Sequence, residues 1–419
     1  MTPPRSPLVD TWRFVALATW GVGVQVHELI GTIGLAALVA SFVPQLARLT
    51  REQVKAWWPL LAFIGWALVA PTLGGNPPDG TGVARTLDWA TVPFVAAAVA
   101  ALSVERRSRL VALVLGTLTL SCAVAGLQHL GWWPNESAFS GLEALRIPFN
   151  RVYEPVSEGA SRYMGGGLLF HRLKFSHVSG LALVVLVVAA ARDVKRRGVL
   201  IGLGVFAFIA VWLFPYARMG AVAATAGVAV TLARVSPSPK KALLAIGALG
   251  LVGALAVLAV EPLRARFVAG LTDQGSGQRT QHLGAGLEAI RQHPLVGVGP
   301  GQFRPSKFGG PDMPEHVRDN PGKAHNQFVS MAAETGLVGA AGFIALLAWL
   351  GVRARSRPLG ALTLGALAQF VVLSLVHDPL FQAPYSMGLV LLLGAGLAED
   401  TRSADPGAAA VAGRVVGQA

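Results

Sequence analysis

The chain is dominated by a succession of apolar segments, each close to the length that a helix needs to cross a lipid bilayer. A hydrocarbon core about 30 Å thick requires roughly 20 apolar residues per helix, and fewer where flanking side chains snorkel. We therefore expect an all-α, polytopic membrane protein. The sequence predicts twelve transmembrane helices, near residues 12–26, 29–46, 57–74, 88–104, 109–130, 174–191, 198–215, 217–233, 241–260, 326–352, 358–376 and 382–398.

The composition supports a membrane protein over a soluble one. Of the 419 residues, 53% are hydrophobic and 14% are charged, whereas charged residues make up about a quarter of soluble domains. The single cysteine, Cys122, lies in an apolar segment, so no internal disulfide can form. The first apolar segment lacks a small-residue cleavage site and is followed by further spans, so we interpret it as the first span and not as a removed signal.

The basic residues are unevenly distributed among the loops. The loops after spans two, four, six, eight and ten each carry three or four Lys and Arg residues, whereas the short loops on the other side carry only Arg85 and Arg218. Because Lys and Arg are retained in the cytoplasm, this pattern places both termini there and the long loops 131–173 and 261–325 outside. The net charge of +13 is then mostly a topology signal, and nucleic acid binding is not needed to explain it.

This topology divides the chain into four regions. Residues 1–260 hold transmembrane helices one to nine, with the first long outer loop at 131–173. Residues 261–325 form a large outer loop that we expect to be catalytic, and residues 326–398 hold the last three transmembrane helices. The tail at 399–419 is rich in Ala, Gly and Ser and is expected to be a disordered cytoplasmic segment.

The second long outer loop contains a predicted amphipathic helix followed by a Gly-rich run. Leu283, Leu287 and Ile290 fall on one helical face, and Pro294 ends the helix. Such a helix can lie at the membrane surface and hold Arg279 at head-group depth. The glycines after it give a turn in which backbone can approach a ligand closely. The sequence of this region is RTQHLGAGLEAIRQHPLVGVGPGQF.

An active site outside the cytoplasm has no access to ATP or nucleotide sugars, so its substrate must arrive already activated. The sequence also lacks a Gly-x4-Gly-Lys-[Ser/Thr] phosphate loop and an Asp-x-Asp pair. A lipid-linked sugar diphosphate fits these conditions, because it needs only a cationic clamp and a base for the acceptor. Arg218 and Arg279 are candidates for the clamp, since a guanidinium stays charged and grips phosphate through two hydrogen bonds. Either arginine could instead snorkel at the membrane interface.

His325 is the candidate base. Imidazole has an unperturbed pKa of about 6.5, and a positioned base contributes roughly 10²–10⁴-fold to a rate. A helix beginning near Ala324 would disfavour the imidazolium through its positive end. The histidine spacings fit no metal-ligand set, so we expect neither a metal nor a cofactor. Residues that could bind substrate or line the cavity at the outer face are His171, Arg172, Lys174, Asn326, His377 and Asp378; Asn326 could instead cap a helix.

Two motifs connect this loop with a known family. Arg279-Thr-Gln-His-Leu283 fits an Arg-x3-Leu pattern. His325-Asn326, nine residues and then Gly336-Leu-Val-Gly339 fit a His-[Asn/Ser/Gln]-x9-Gly-x-x-Gly pattern. Both resemble the periplasmic loop of the O-antigen ligase superfamily, which includes O-antigen polymerases and O-linked protein oligosaccharyltransferases.

The resemblance implies a glycosyltransferase of the bacterial inner membrane with a periplasmic active site. It would transfer an undecaprenyl-diphosphate-linked O-antigen to a lipid A–core sugar hydroxyl, with inversion and without metal. Arg218 and Arg279 would bind the diphosphate, and His325 would deprotonate the acceptor. A polymerase and a protein oligosaccharyltransferase share the motifs, although the lack of a long extra C-terminal domain disfavours the latter. A twelve-span transporter is the alternative from another class; it would favour ionisable residues at the midplane and short outer loops.

Overall fold

The computed structural model describes residues 7–47, 50–133, 155–156, 160–169, 171–271, 277–310, 313 and 323–399. This part of the chain is helical, with short 3-10 turns and without strands. The middle of the predicted first outer loop, most of 311–322 and all but the first residue of the predicted disordered tail lie outside the described residues.

The helices of the first part of the chain coincide with the first five predicted spans and with the loops between them. Thr50, Asp79 and Ser103 begin three of them, each with a side chain that accepts a hydrogen bond from a backbone amide of the first turn. In chain order they are α1 Pro7–Val26, α2 Glu28–Ala40, α3 Val43–Leu46, α4 Arg51–Lys55, α5 Trp58–Leu73, α6 Gly80–Asp88, α7 Val92–Ala101 and α8 Val104–His129.

The second part of the chain contains the remaining apolar helices and the helices of the second long loop. The loop helix ends at Gln292, immediately before His293 and Pro294, as the sequence predicts. The helices are α9 Arg172–Arg192, α10 Arg197–Leu213, α11 Arg218–Val235, α12 Pro239–Ala259, α13 Glu261–Leu271, α14 Gly277–Gln292, α15 Pro305–Phe308, α16 Gln327–Arg355, α17 Gly360–Ser374 and α18 Ala383–Gly396.

Each of the twelve predicted spans falls on a helix of the described chain. Six helices there are long and apolar enough to cross a membrane, counting α6 and α7 as one continuous segment, and five shorter apolar helices accompany them. The count of twelve spans stays a prediction. The six are Gly80–Ala101, Val104–His129, Arg172–Arg192, Arg218–Val235, Pro239–Ala259 and Gln327–Arg355.

The basic residues that set the predicted topology gather at one end of the helices. Arg234 near the end of α11 donates a hydrogen bond to the carbonyl of Arg355 at the end of α16, at 2.9 Å. Arg192 at the end of α9 donates to the carbonyl of Pro358. The candidate site residues lie at or just before the opposite, N-terminal ends of these same three helices. The bundle therefore has a basic end and a separate site end.

Small residues allow the helices to pack closely. In lipid, apolar side chains gain little by leaving one apolar surface for another, so close backbone contact contributes more to helix association. The contact between α1 and α2 illustrates this, because a Cβ on Gly34 would lie 2.3 Å from the backbone nitrogen of Trp20. Trp20 itself is fully buried in a core that also contains Phe343 of α16 and Tyr385 of α18.

Helix α16 is kinked where the Gly-rich run crosses it. Gly336 has φ 71° and ψ 174°, a conformation that is essentially restricted to glycine. The kink frees backbone groups that the run satisfies: Val298 donates to the carbonyl of Ala333 and Gly299 to that of Glu334, both at 2.9 Å. A Cβ on Gly297 would lie 2.4 Å from the carbonyl carbon of Glu334. The expected close approach of these glycines is therefore to protein backbone, not to a ligand.

A buried ion pair fixes the same junction. Glu334 lies on α16 just before the kink, forms a salt bridge with Arg85 of α6, and also accepts a hydrogen bond from the backbone amide of Gly301 at 2.9 Å. The guanidinium of Arg85 lies 3.9 Å from the ring centre of Phe381. Because both charges are shielded from water, the pair ties α6, the Gly-rich run and α16 together; loss of one partner would leave a buried charge uncompensated.

Replacing Gly336 with alanine is expected to destabilise the protein strongly. The new Cβ would lie 2.0 Å from the carbonyl oxygen of Leu295, and the backbone conformation alone costs about 1–3 kcal/mol in a residue with a side chain. Thermal unfolding in detergent should therefore show a lower midpoint. Gly342→Ala is the matched control on the same helix, because a Cβ there meets nothing within 4 Å. Equal midpoints for the two variants would contradict the kink.

Candidate functional site

The segment that carries His325 is held in place by backbone hydrogen bonds to the loop between α17 and α18. His325 has φ 55°, in the left-handed region that is unfavourable for residues other than glycine. On its C-terminal side, the backbone amide of Gln327 donates to the carbonyl of His377 at 3.1 Å. The side-chain amide of Asn326 donates to the carbonyl of Leu375 at 3.2 Å. The conformation of His325 is thus imposed by tertiary contacts.

Asp378 also helps to hold the segment that carries His325. The hydroxyl of Ser330 donates a hydrogen bond to the buried carboxyl of Asp378 and accepts one from the backbone amide of Ala324 at 3.0 Å. Burial raises the pKa of Asp378 to about 6, while the hydrogen bond from Ser330 and the charge of Lys323 act in the opposite direction. Asp378 and Ser330 therefore anchor the chain immediately before His325.

Helix α14 lies against the other side of His325. The ring centres of His282 and His325 are 4.9 Å apart, and the rings meet edge to face at 75°. Arg279 lies one turn before His282 on the same helix. The close approach depends on Gly286, because a Cβ there would lie 2.8 Å from a side-chain methyl of Val329. A small residue thus brings Arg279 and His282 to the candidate base.

The face of α14 that packs against protein is not its leucine face. Leu283, Leu287 and Ile290 were predicted to share the face of a helix that can lie at the membrane surface, and Leu287 is 54% exposed. The fully buried residues of α14 include His282 and Ala289, with Ala285 between them. Because lipid is as apolar as leucine, the large apolar residues need not face protein, and small residues make the closest contacts.

The surroundings of His325 favour its neutral form. The pKa of His325 is lowered to about 4, first by burial and then by the positive charges of His282, Arg279 and Lys323, in that order. Its imidazole is therefore unprotonated at pH 7 and has a nitrogen available to accept a proton. Burial is the main cause of this lowered pKa, and the contribution of the helix end stays a prediction.

Asn326 caps the helix that follows. Its side-chain oxygen accepts hydrogen bonds from the amides of Phe328 at 3.0 Å and Val329 at 3.2 Å, so α16 begins at Gln327 and not near Ala324. Of the two roles considered for Asn326, the structure shows the cap.

Arg218 begins α11, immediately after a strained turn. Tyr216 has φ 48°, and Ala217 at the N-cap has no side-chain oxygen to accept a hydrogen bond from the first turn of the helix. Arg218 experiences the positive charges of Arg279 and Arg266. The structure therefore brings Arg218 to Arg279, and Arg279 to His325, although the three lie far apart in sequence.

The predicted residues at the start of α9 are partly engaged within the protein. The side chain of His171 accepts a hydrogen bond from the amide of Lys174 and caps α9. Lys174 forms a salt bridge with Glu28 at 3.1 Å. One turn further along, the ring of His177 lies 5.5 Å from that of His377. The start of α9 thus lies at the same end of the bundle as His325. There His171 and Lys174 make contacts within the protein, and Arg172 is the first residue of the helix.

Several neighbours of the candidate residues did not emerge as candidates from the sequence: His282, Ser330 and Lys323 near His325, and Arg266 near Arg218. His282 could have been found from the sequence, because a residue three positions after Arg279 on a helix shares its face.

Within the described residues, no group of three or more His, Cys, Asp or Glu side chains is arranged to hold a metal ion.

Comparisons with known proteins show which family this site region is similar to. None of the curated proteins matches the chain. A family model described as O-antigen ligase matches residues 203–344, a region that contains α11, α14 and the start of α16. Arg218, Arg279 and His325 all lie inside it. Residues 203–344 of the chain are thus similar to the O-antigen ligase family.

Proposed function

We propose that this protein is an O-antigen ligase. It transfers a glycan from undecaprenyl diphosphate to a sugar hydroxyl of lipid A–core, and the products are lipopolysaccharide and undecaprenyl diphosphate. Arg218 and Arg279 bind the donor diphosphate, and His325 is the base. The observation that carries the proposal is a neutral imidazole beside a group of cations that have no acidic partner among the described residues.

The cations in question are Arg218, Arg266, Arg279 and Lys323. Within the part of the chain that the structure describes, no carboxylate pairs with any of them. The charges of Arg279 and Arg266 act on Arg218, and those of Arg279 and Lys323 act on His325. Such a concentration of positive charge favours a polyanionic ligand. A diphosphate supplies negative charge and acceptor oxygens suited to bidentate hydrogen bonds from arginine.

The uncapped start of α11 supports a phosphate at Arg218. The first amides of a helix point outward with partial positive charge, and an anion there satisfies them. Ala217 cannot serve as a side-chain cap, whereas Asn326 already caps α16. The first backbone amides of α11, which begins with Arg218, therefore remain available to a phosphate group, whereas those of α16 are already capped.

The proposed reaction is a single inverting displacement. The acceptor hydroxyl oxygen attacks the anomeric carbon of the donor, and its proton passes to the free nitrogen of His325. The bond between the anomeric carbon and the diphosphate oxygen breaks, and the electron pair leaves with the lipid diphosphate, whose charge the arginines stabilise. His325 then returns the proton to solvent. The low proton affinity of the half-buried imidazole favours this last step.

The separation of the basic end from the site end of the bundle supports a definite orientation in the membrane. We propose that the basic end faces the cytoplasm of a bacterium together with both termini, and that the site end faces the periplasm across the inner membrane. In this arrangement residues 1–260 and 326–398 form the transmembrane part, and 261–325 form the periplasmic catalytic loop. Phospholipids surround the bundle, and nucleic acid is not among the partners.

A transfer assay with purified protein tests the proposal. The protein is incubated with undecaprenyl-diphosphate-linked glycan and one acceptor at a time, in the presence of a chelator and without ATP. Transfer to lipid A–core supports the ligase. Transfer only to a second lipid-linked glycan would identify a polymerase, and transfer only to a peptide hydroxyl would identify a protein oligosaccharyltransferase. Flux of a solute across proteoliposomes without transfer would favour a transporter.

A further inference from the structure

The second histidine at the site is buried, rigidly held and unused by the proposed reaction. His282 is 1% exposed and lies on α14 between Arg279 and Gly286. Because α14 approaches α16 closely at Gly286, the helix that carries His282 is held against the segment that carries His325. A group fixed in this way can orient a neighbour more reliably than one on a mobile loop.

The His325 ring needs such a support. Among the described residues, the hydrogen bonds that hold its segment run through Ala324, Asn326, Gln327 and the backbone of His325 itself, so they fix the backbone and not the imidazole. His282 contacts that imidazole directly, edge to face, with ring centres 4.9 Å apart. This is a favourable geometry between two aromatic rings.

We infer that His282 is a positioning residue for the proposed glycosyl transfer, holding the His325 ring toward the acceptor and opposing its protonation before the acceptor binds. The inference rests on the proposed function, in which His325 is the base. His282 itself need not contact the substrate, because it acts through His325.

The electrostatic part of this role depends on all the groups that face His325. Arg279 and His282 approach from α14, Lys323 precedes it in the chain, and His377 and Asp378 approach from the loop before α18. The pKa of His325 is lowered by burial and then by the charge of His282, because a positive charge beside an imidazole disfavours a proton on it. Removal of His282 should therefore raise the pKa of His325, whose main determinant, burial, remains.

Two substitutions separate the two parts of the role. His282→Phe keeps a buried ring against His325 but has no nitrogen, so the acidic limb of the kcat–pH profile should move up by about 0.5 to 1 pH unit, with the plateau rate largely kept. His282→Ala should move the limb similarly and also lower the plateau about tenfold or more, since positioning errors are costly. A purely structural role would lower the rate equally at every pH.

The control is His293→Phe. His293 follows the end of α14, and its ring faces Phe308 instead of His325, so its replacement should leave the limb unchanged. A titration of ring-labelled His325 by NMR, without substrate, gives a readout that does not depend on transfer. If neither His282 variant changes the limb or the titration, the inference is wrong while the ligase proposal stands. If His325→Asn retains transfer, the proposed base is wrong, whatever His282 does.

Discussion

Replacing His325 with asparagine is expected to reduce glycan transfer about 10²–10⁴-fold, the contribution of a positioned general base, without loss of donor binding. Asparagine tolerates a positive φ better than most residues, so the φ of 55° at this position is preserved. Asparagine has no basic nitrogen, however, and cannot take the acceptor proton. The variant therefore separates the chemistry of the side chain from the strain of the backbone.

The measurement is the initial rate of transfer at saturating donor and acceptor, together with the dissociation constant of the donor and the thermal midpoint. His325→Ala provides a comparison, because alanine loses the base and is also less tolerant of the left-handed conformation, so its midpoint should fall below that of the asparagine variant. His293→Asn is the matched control at the end of α14. A transfer rate above a tenth of the parent value for His325→Asn would exclude His325 as the base.

The helices were largely predictable from the sequence, because the length of an apolar segment is a local property. Even the short junctions between the first and second and between the seventh and eighth predicted spans are present: His27 caps α2 directly after α1 ends at Val26, and the strained turn at Tyr216 separates α10 from α11. The packed faces were less predictable. Leu287 is exposed on α14 while Ala289 is buried, since apolarity does not distinguish contact with lipid from contact with protein.

The candidate site was predictable where its residues form a local motif and hidden where they meet through the fold. Arg279 and His325 were identified from their neighbours in sequence. The contact between Ser330 and Asp378 spans 48 positions and that between Arg85 and Glu334 spans 249, so no local spacing indicates either. The pairing of Arg85 with Glu334 could still be suspected from the sequence, because charged residues in or beside the apolar segments of a membrane protein are expected to pair with opposite charges.

Replacing Arg279 or Arg218 with methionine is expected to weaken binding of the lipid-linked diphosphate about 10- to 100-fold for each residue, the value of one or two charge-assisted hydrogen bonds. Methionine keeps much of the side-chain length without the charge. Lysine should restore the binding only in part, because it keeps the charge but cannot form the bidentate fork. Binding can be measured with a fluorescent undecaprenyl diphosphate in detergent, with undecaprenyl monophosphate as the weaker comparison.

The same variants, which should bind donor more weakly, should be more stable than the parent protein when no donor is present. Arg279 and Arg266 each repel Arg218, so removal of the charge of Arg218 or Arg279 should raise the thermal midpoint without donor and reduce the further stabilisation that donor provides. An arginine that only snorkels would give a lower or unchanged midpoint and normal donor binding. Arg291→Met is the control on the same helix, because Arg291 is exposed and paired with Glu288 at 2.7 Å; it should leave donor binding unchanged. Parental donor affinity in both Arg218→Met and Arg279→Met would show that the diphosphate binds elsewhere.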